Sequence, residues 1–387
     1  MKLAIVSTHP IQYYTPWFKY ISTFIELHVF YMHNESASER AAGDFGVTDE
    51  WDIDLLSGYK YKFLTNIAKE PSVNRFYGCD TPEISEIVKE ENFDAVLVLG
   101  WYVKSFWQTI FACKRYNIPV FVRGDSQLQV NQSRSKKIIK HILYPLMLRI
   151  FDAFLYVGKK NKEYLKFYNV PENKMFFCPH FIDQEFFYDK SQKSDSVQLR
   201  KEMGIEKNAY ILLFVGKFIE KKRPLDILKA MKLLYKEKVN IELIFVGSGK
   251  LEKELIQYCE QNNELKVHFV GFKNQTELPA YFALADLLVL PSESGETWGL
   301  VVNEAFATLT PAIVSDQVGC MPDLIDSNLT GDIFKCGDIS DLSNKIKNFV
   351  YDSDIIVIKK NITEKNKIYS IKTATKNLIN AMGEFKK

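Results

Sequence analysis

The sequence predicts an α/β protein made of two doubly wound, Rossmann-like domains facing each other across a cleft. Three observations carry that prediction. Short apolar runs alternate with helical patterns in two successive series, a chain of 387 residues exceeds one usual hydrophobic core, and residues 287–311, LLVLPSESGETWGLVVNEAFATLTP, write a buried strand, a Gly-containing loop and a helix in one stretch. A composition of 47% hydrophobic and 25% charged residues supplies core enough for both domains.

The first series places strands at residues 3–7, 27–31, 95–99, 120–122 and 154–157, each apolar or β-branched and separated from the next by a helical pattern. A polar, turn-prone stretch at 191–195, SQKSD, separates it from the second, whose strands fall at 211–215, 241–246, 267–270, 287–290 and 312–314. Domains over 1–190 and 200–365 follow, with a last helix at 368–385 inside a C-terminal segment 366–387. Fifty Lys and Arg against 48 Asp and Glu give a net charge of +2, which argues against a nucleic-acid protein because no basic excess exists to meet a phosphate backbone. Six cysteines without paired spacing (Cys79, Cys113, Cys178, Cys259, Cys320, Cys336) read as reduced core residues and give no zinc pattern. The N-terminal MKLAIVSTHP is too short and too soon interrupted for a signal peptide, and no run approaches a membrane span, so a cytoplasmic protein is expected.

The helix beginning at Gly299, Leu300 and Val301 directs its free N–H groups beyond the carboxyl end of the preceding strand, a place that favours an anion such as a diphosphate. Its apolar residues Leu300, Val301, Ala305 and Thr308 predict one buried face. Glu296 in the loop and Glu304 one turn into the helix cannot bind that anion, but they accept hydrogen bonds from hydroxyls. Together they suit a ligand with polyol parts around a phosphate middle. A second anion site follows the strand 211–215, where Gly216, Lys217, Lys221, Lys222 and Arg223 crowd cations into one loop. Gly-x-Gly-x-x-Gly, which a nicotinamide dehydrogenase needs after its first strand, is absent, and the Gly247-Ser248-Gly249 pair reads as a turn.

These motifs resemble the retaining glycosyltransferases of family 4, whose two glutamates are separated by seven residues, as Glu296 and Glu304 are, with a Phe-Gly pair that is Trp298-Gly299 here. The resemblance implies the GT-B architecture, with the last helix crossing back to the first domain. It implies a diphosphate clamp by Lys217, where the family has Arg, and Lys222, with Gly216 at the head of the loop. Glu296 would orient donor-sugar hydroxyls, Glu304 would hold the ribose, and Trp298 and Phe272 would border the donor. Leu309 stands where family members usually carry Gly, a change expected to alter packing rather than chemistry. A subgroup likeness in 8–14, 123–126 and 179–183 puts His9, Gln12 and Arg123 on the acceptor side and Asp125 near the donor sugar; Arg123 and Asp125 also read as an ion pair, and His180 as structural.

Asp52-Ile53-Asp54 lacks the strand context of an Asp-x-Asp metal motif and reads as surface, so no metal and no cofactor are expected. The helix 133–150, SRSKKIIKHILYPLMLRI, joins apolar residues at helical spacing to Arg134, Lys136, Lys137, Lys140 and Arg149. It either covers its own sheet or lies on anionic lipid, and Pro145 implies a kink or a break. The expected activity is transfer of a sugar, with retention and without metal, from a nucleotide-diphosphate sugar (UDP before GDP) to a glycan or lipid-linked acceptor in polysaccharide biosynthesis. A GT-B epimerase, a phosphorylase with a pyridoxal lysine and a non-catalytic GT-B partner subunit are the alternatives.

Overall fold

The structure, a computed structural model, describes residues 1–34, 52–128 and 134–385, and of residues 134–137 the backbone alone. Among these the chain divides into two compact units: 1–34, 54–183 and 370–385 form the first, and 184–369 with 52–53 form the second.

The first unit is built on a seven-stranded sheet in the order β3-β2-β1-β4-β5-β6-β7. Its strands are β1 (Lys2–Ser7), β2 (Glu26–Tyr31), β3 (Lys60–Phe63), β4 (Ala95–Val98), β5 (Val120–Gly124), β6 (Ala153–Tyr156) and β7 (Met175–Phe177). Every described pairing is parallel, and the central strands are buried on both faces, which is why β1 and β4 read as near-continuous apolar runs. One face packs Val6, Val98, Phe106, Val122 and Phe154. The other packs Ile5, Leu97 and Phe121 with Trp17, Phe18 and Ile21 of the helix Thr15–Ser22. That second face also takes Ala374, Leu378, Ala381 and Met382 from the last helix, Ile371–Gly383. The helix therefore returns to the first unit, after Ile355–Ile368 has stayed with the second. The break between them is Tyr369-Ser370, where the Ser370 hydroxyl caps the Thr373 amide at 3.1 Å, three residues later than the helix start read from sequence.

The second unit repeats the plan with six strands in the order β10-β9-β8-β11-β12-β13. They are β8 (Tyr210–Val215), β9 (Ile241–Val246), β10 (Val267–Phe269), β11 (Leu287–Leu290), β12 (Ala312–Ser315) and β13 (Gly331–Phe334). In each sheet the chain winds outward to one edge and then resumes beside its first strand. The loops after β1 and β4, and after β8 and β11, consequently part at a switch point, the place where open α/β sheets bind ligands.

Several expectations are corrected. Three edge strands were not read: β3 (KYKF) and β13 (GDIF) are half polar, and β7 (MFF) hides in a run taken for core. The domain boundary falls at 183/184 rather than 190, because the helix Gln184–Lys193 packs Phe187 against Phe282 of the second unit, ring centroids 6.4 Å apart. The 191–195 stretch is no linker; Asp195 accepts a hydrogen bond from the Gln198 amide at 2.8 Å and starts the helix Ser196–Glu202. The helix Leu300–Ala307 is buried all round from Val301 to Ala307 rather than on one face. Arg134–Leu148 runs as one helix through Pro145 and covers its sheet through Tyr144, Met147 and Leu148, whereas Ile138, Ile139, Ile142, Leu143 and Leu146 are 55–62% exposed and do not. The side chains of Lys136 and Lys137 lie outside the described residues. All six cysteines are free thiols, four of them buried.

Candidate functional site

Where β8 and β11 diverge, the loops that follow them meet. The loop after β8 makes a short 3-10 turn, Glu220–Lys222, which carries Lys222 toward β11. Its Nζ forms an ion pair with Oε2 of Glu296, and the two side chains are only 16% and 13% exposed. Neighbouring Lys221 donates from Nζ to the Gly295 carbonyl at 2.7 Å, while its own carbonyl accepts from the Glu293 amide at 2.9 Å. Lys221 thus ties the two loops together. Arg223 turns away, pairing from Nε with Asp226 at 2.7 Å. Lys217 follows Gly216 at the head of the same loop and is half-buried. The Gly247-Ser248-Gly249 turn supports this loop from the other side, the Ser248 carbonyl accepting from the Phe218 amide at 2.8 Å.

The acidic loop is held from beneath by residues 316–320. Gly319 donates its amide to the Glu296 carbonyl at 2.9 Å, and Cys320 donates to the Trp298 carbonyl at 2.8 Å. A Cβ on Gly319 would lie 1.9 Å from the Thr297 oxygen, so only glycine allows the approach. Gln317 Oε1 accepts from the Ser294 amide at 2.6 Å. Gly299, at φ 96°, turns the chain into the helix Leu300–Ala307. One turn in, Glu304 is 3% exposed, a burial that a carboxylate tolerates only when hydrogen-bonded.

Trp298 was expected to border the donor. It is buried instead; its indole N–H donates to Asn303 Oδ1 at 2.8 Å and its ring lies against Tyr369, centroids 5.9 Å apart. Tyr369 in turn donates its hydroxyl to Asp323 at 2.8 Å. Trp298 therefore anchors the loop, and Tyr369, 71 positions away in sequence, gave no signal of that role. Phe272 and Gly271 follow β10 in the loop whose Gly271 carbonyl accepts from the Gly247 amide at 2.8 Å, with Phe272 half-buried.

In the first unit the three segments singled out by subgroup likeness converge on one residue. The guanidinium of Arg123, at the end of β5, is 1% exposed and donates to the Tyr14 hydroxyl at 3.1 Å and the Pro179 carbonyl at 2.9 Å. It lies 5.4 Å from the Tyr14 and Trp17 ring centroids and 5.0 Å from that of Phe181. This corrects its assignment to the acceptor side: Arg123 clamps the loops that carry the other residues. Burial, assisted by the Arg123 charge, holds the His180 imidazole well below its ordinary range and thus neutral. His9 is buried beside Thr8, whose hydroxyl meets Nδ1 at 2.8 Å. Gln12, in the turn before Thr15–Ser22, and Asp125, just past β5, are half-buried at the carboxyl edge of the sheet.

Asp54 spends its carboxylate on a turn, accepting from the Leu56 and Ser57 amides at 2.9 and 3.1 Å. The Ser57 hydroxyl and those amides hold it down to about 2. Asp52 accepts from the Thr276 amide at 3.0 Å.

Comparison with known proteins bears on the second unit. Residues 195–368, nearly all of it, match the family described as Glycosyl transferases group 1. Over nearly its whole length the second unit resembles a group 1 glycosyl transferase domain. Among similar proteins, N-acetyl-alpha-D-glucosaminyl L-malate synthase of Bacillus anthracis is 30% identical over 46% of this chain and 44% of its own length. The UDP-Gal:alpha-D-GlcNAc-diphosphoundecaprenol alpha-1,3-galactosyltransferase of Escherichia coli is 26% identical over 50% of this chain and 49% of its own. The chain thus spans about half the length of these curated relatives. Anabaena Alr3699/HepE, solved in complex with UDP and glucose, superposes with a TM-score of 0.73 over 99% of both chains at 15% identity, a likeness of fold. The matched unit and the unit that precedes it in the chain have the two Rossmann-like sheets of the GT-B fold.

Proposed function

We propose that this protein is a retaining, metal-independent glycosyltransferase that moves a sugar from a nucleotide-diphosphate sugar, with UDP favoured over GDP, to a glycan or lipid-linked acceptor in polysaccharide biosynthesis. The observation that carries this reading is the apposition of Lys222 and Glu296 at the β8/β11 switch point, beside the N-terminus of Leu300–Ala307. A cation and a polyol acceptor stand side by side where a diphosphate joined to a sugar has both needs. The named activities of the relatives, transfer from UDP-Gal to a diphosphoundecaprenol-linked sugar among them, point the same way.

In this reading the acceptor hydroxyl attacks the anomeric carbon as its bond to the diphosphate oxygen breaks. Lys222 and Lys217 stabilise the charge that develops on the leaving group, and the acceptor proton passes to a departing phosphate oxygen on the same face. Glu296 orients sugar hydroxyls, Glu304 holds the ribose, Asp125 stands near the donor sugar, and His9 with Gln12 serves the acceptor side. No cofactor takes part. The exposed aliphatic residues of Arg134–Leu148, with Lys140 on the same helix, support a position on the anionic cytoplasmic face of a membrane, where a lipid-linked acceptor would lie.

The test is incubation with UDP-glucose, UDP-galactose and UDP-N-acetylglucosamine and a diphosphate-linked lipid acceptor, with and without chelator, followed by NMR of the product. An α-linked product made at equal rate in chelator is expected. A β-linked product from these α-linked donors refutes retention, and activity restored only by magnesium refutes metal independence.

A further inference from the structure

We infer that Glu296 sets how weakly the site holds a nucleoside diphosphate, by competing with the diphosphate for the Lys222 ammonium. This rests on the reading of the site given above and extends it to the release of the product.

The pair is built, not incidental. Lys222 is fixed by its amide, which donates to the Ile219 carbonyl at 2.9 Å, and its neighbour Lys221 holds Gly295 at 2.7 Å. Glu296 is fixed by its amide on the Glu293 carbonyl at 3.2 Å and by its carbonyl under Gly319 at 2.9 Å. Both backbones are therefore set so that the carboxylate meets this particular cation, although Lys221 and Arg223 flank it. Arg223 has its own acid in Asp226, and Lys221 is occupied at Gly295. Lys222 is thus the cation of this turn that Glu296 takes up.

At side-chain exposures of 16% and 13%, water screens the pair far less than it would a surface pair. An ammonium has three N–H donors. A diphosphate approaching Lys222 finds the ammonium already paired with Glu296 and meets the negative charge of that carboxylate. A sugar nucleotide offsets this loss, because its sugar hydroxyls donate to the same carboxylate. A free nucleoside diphosphate has no sugar to do so and bears more charge of its own. Glu296 therefore separates donor from product: it gains hydrogen bonds from the first and repels the second.

The experiment is calorimetric titration of uridine diphosphate into wild type, Glu296→Gln, Lys222→Met and the double variant, with UDP-glucose titrated in parallel. Gln keeps the size of Glu and one acceptor oxygen, removes the charge, and puts an amide donor in place of the second oxygen; the Lys222→Met background separates a gain made through Lys222 from one made by that donor. Glu296→Gln is expected to bind uridine diphosphate about tenfold more tightly and UDP-glucose more weakly than wild type, while Lys222→Met binds uridine diphosphate at least about tenfold more weakly. In the Lys222→Met background the same Glu296→Gln change should move uridine diphosphate affinity by less than about threefold. An unchanged or weaker affinity in a folded Glu296→Gln overturns the proposal. So does a gain that persists in full without Lys222. Should Glu296→Gln fail to fold, Glu296→Asp, which draws the carboxylate back by one methylene, is expected to lower the product-inhibition constant of uridine diphosphate; no change there likewise overturns it. If wild type binds none of the uridine, guanosine and adenosine diphosphates, the nucleotide-sugar reading itself fails, and this inference with it.

Discussion

Glu296 and Glu304 share a sequence signature but sit in different surroundings. Glu296 is paired with Lys222 at the site's surface, whereas Glu304 is enclosed in a helix buried on all sides. Glu304→Gln is expected to weaken donor binding by roughly 1.5 to 3 kcal/mol, the loss of a charged hydrogen bond, and calorimetry checks it. Lys222→Ala should lower turnover by about two to three decades with donor saturating, as for removal of a preorganised charge at a leaving group; initial rates in the presence of chelator measure it. Leu309 raises a different question. It occupies the position after the cap of Leu300–Ala307 at φ 63°, its amide donating to Phe306 O at 3.0 Å and that of Thr310 to Ala305 O at 2.9 Å. This arrangement favours glycine, since a left-handed L-residue costs about 1 kcal/mol. The departure from the family pattern thus carries a backbone cost beside the packing change expected of it. Leu309→Gly should hold or raise the melting temperature, whereas Leu309→Val should lower it by several degrees, because a β-branched side chain resists that conformation further.

The elements that position these residues were unequally legible. Central strands such as β1, β8 and β11 announced themselves as apolar runs because both faces are buried, and the loop Gly216–Pro224 announced itself by charge. Edge strands β3 and β13 did not, since a strand with one neighbour and an open side has no need to be uniformly apolar. The supports of the site were hidden for another reason: Gln317, Gly319 and Tyr369 act through backbone approach or contacts far along the chain, which no local pattern encodes. Arg123 was legible as a residue that matters but not as what it does, because a cation after a strand gives no sign of being enclosed by three rings. The enclosure has a consequence in acid. His180 has its folded pKa lowered by burial and then by Arg123, so the unfolded chain binds the proton more readily. Stability from this group is complete above about 6.5 and falls as the pH drops below that value, by about 1.4 kcal/mol per unit until the folded pKa is reached. Wild type should therefore lose more melting temperature between pH 7 and 5.5 than His180→Gln does, as scanning fluorimetry over that range would show. Equal losses would place the acid sensitivity elsewhere.

At the scale of the whole molecule, two units share one plan: the second matches the group 1 glycosyl transferase family, and the first carries the sheet to which the last helix returns. The first unit also bears a surface out of keeping with its core. Ile138, Ile139, Ile142, Leu143 and Leu146 of Arg134–Leu148 are each more than half exposed, while Phe106, Phe151 and Phe154 of the core that Tyr144, Met147 and Leu148 of the same helix join are fully buried. No helix among the described residues is long and apolar enough to cross a membrane, so any lipid contact made by these residues would be along a surface. Five aliphatic side chains in water contribute nothing to folding and bring a risk of association, a cost that is offset if they enter the headgroup layer. Changing Ile139, Ile142 and Leu146 together to Gln should leave the melting temperature within about two degrees, because exposed side chains have little packing to lose. Cosedimentation with vesicles of phosphatidylglycerol and phosphatidylethanolamine should fall by at least about tenfold, since each aliphatic side chain withdrawn from the lipid forfeits part of roughly 2 kcal/mol. Transfer to a lipid-linked acceptor in those vesicles should fall in step, and transfer to a soluble acceptor should persist. If wild type stays in the supernatant at physiological salt, the membrane placement is refuted; if the triple variant instead loses its fold, these residues are part of a core after all.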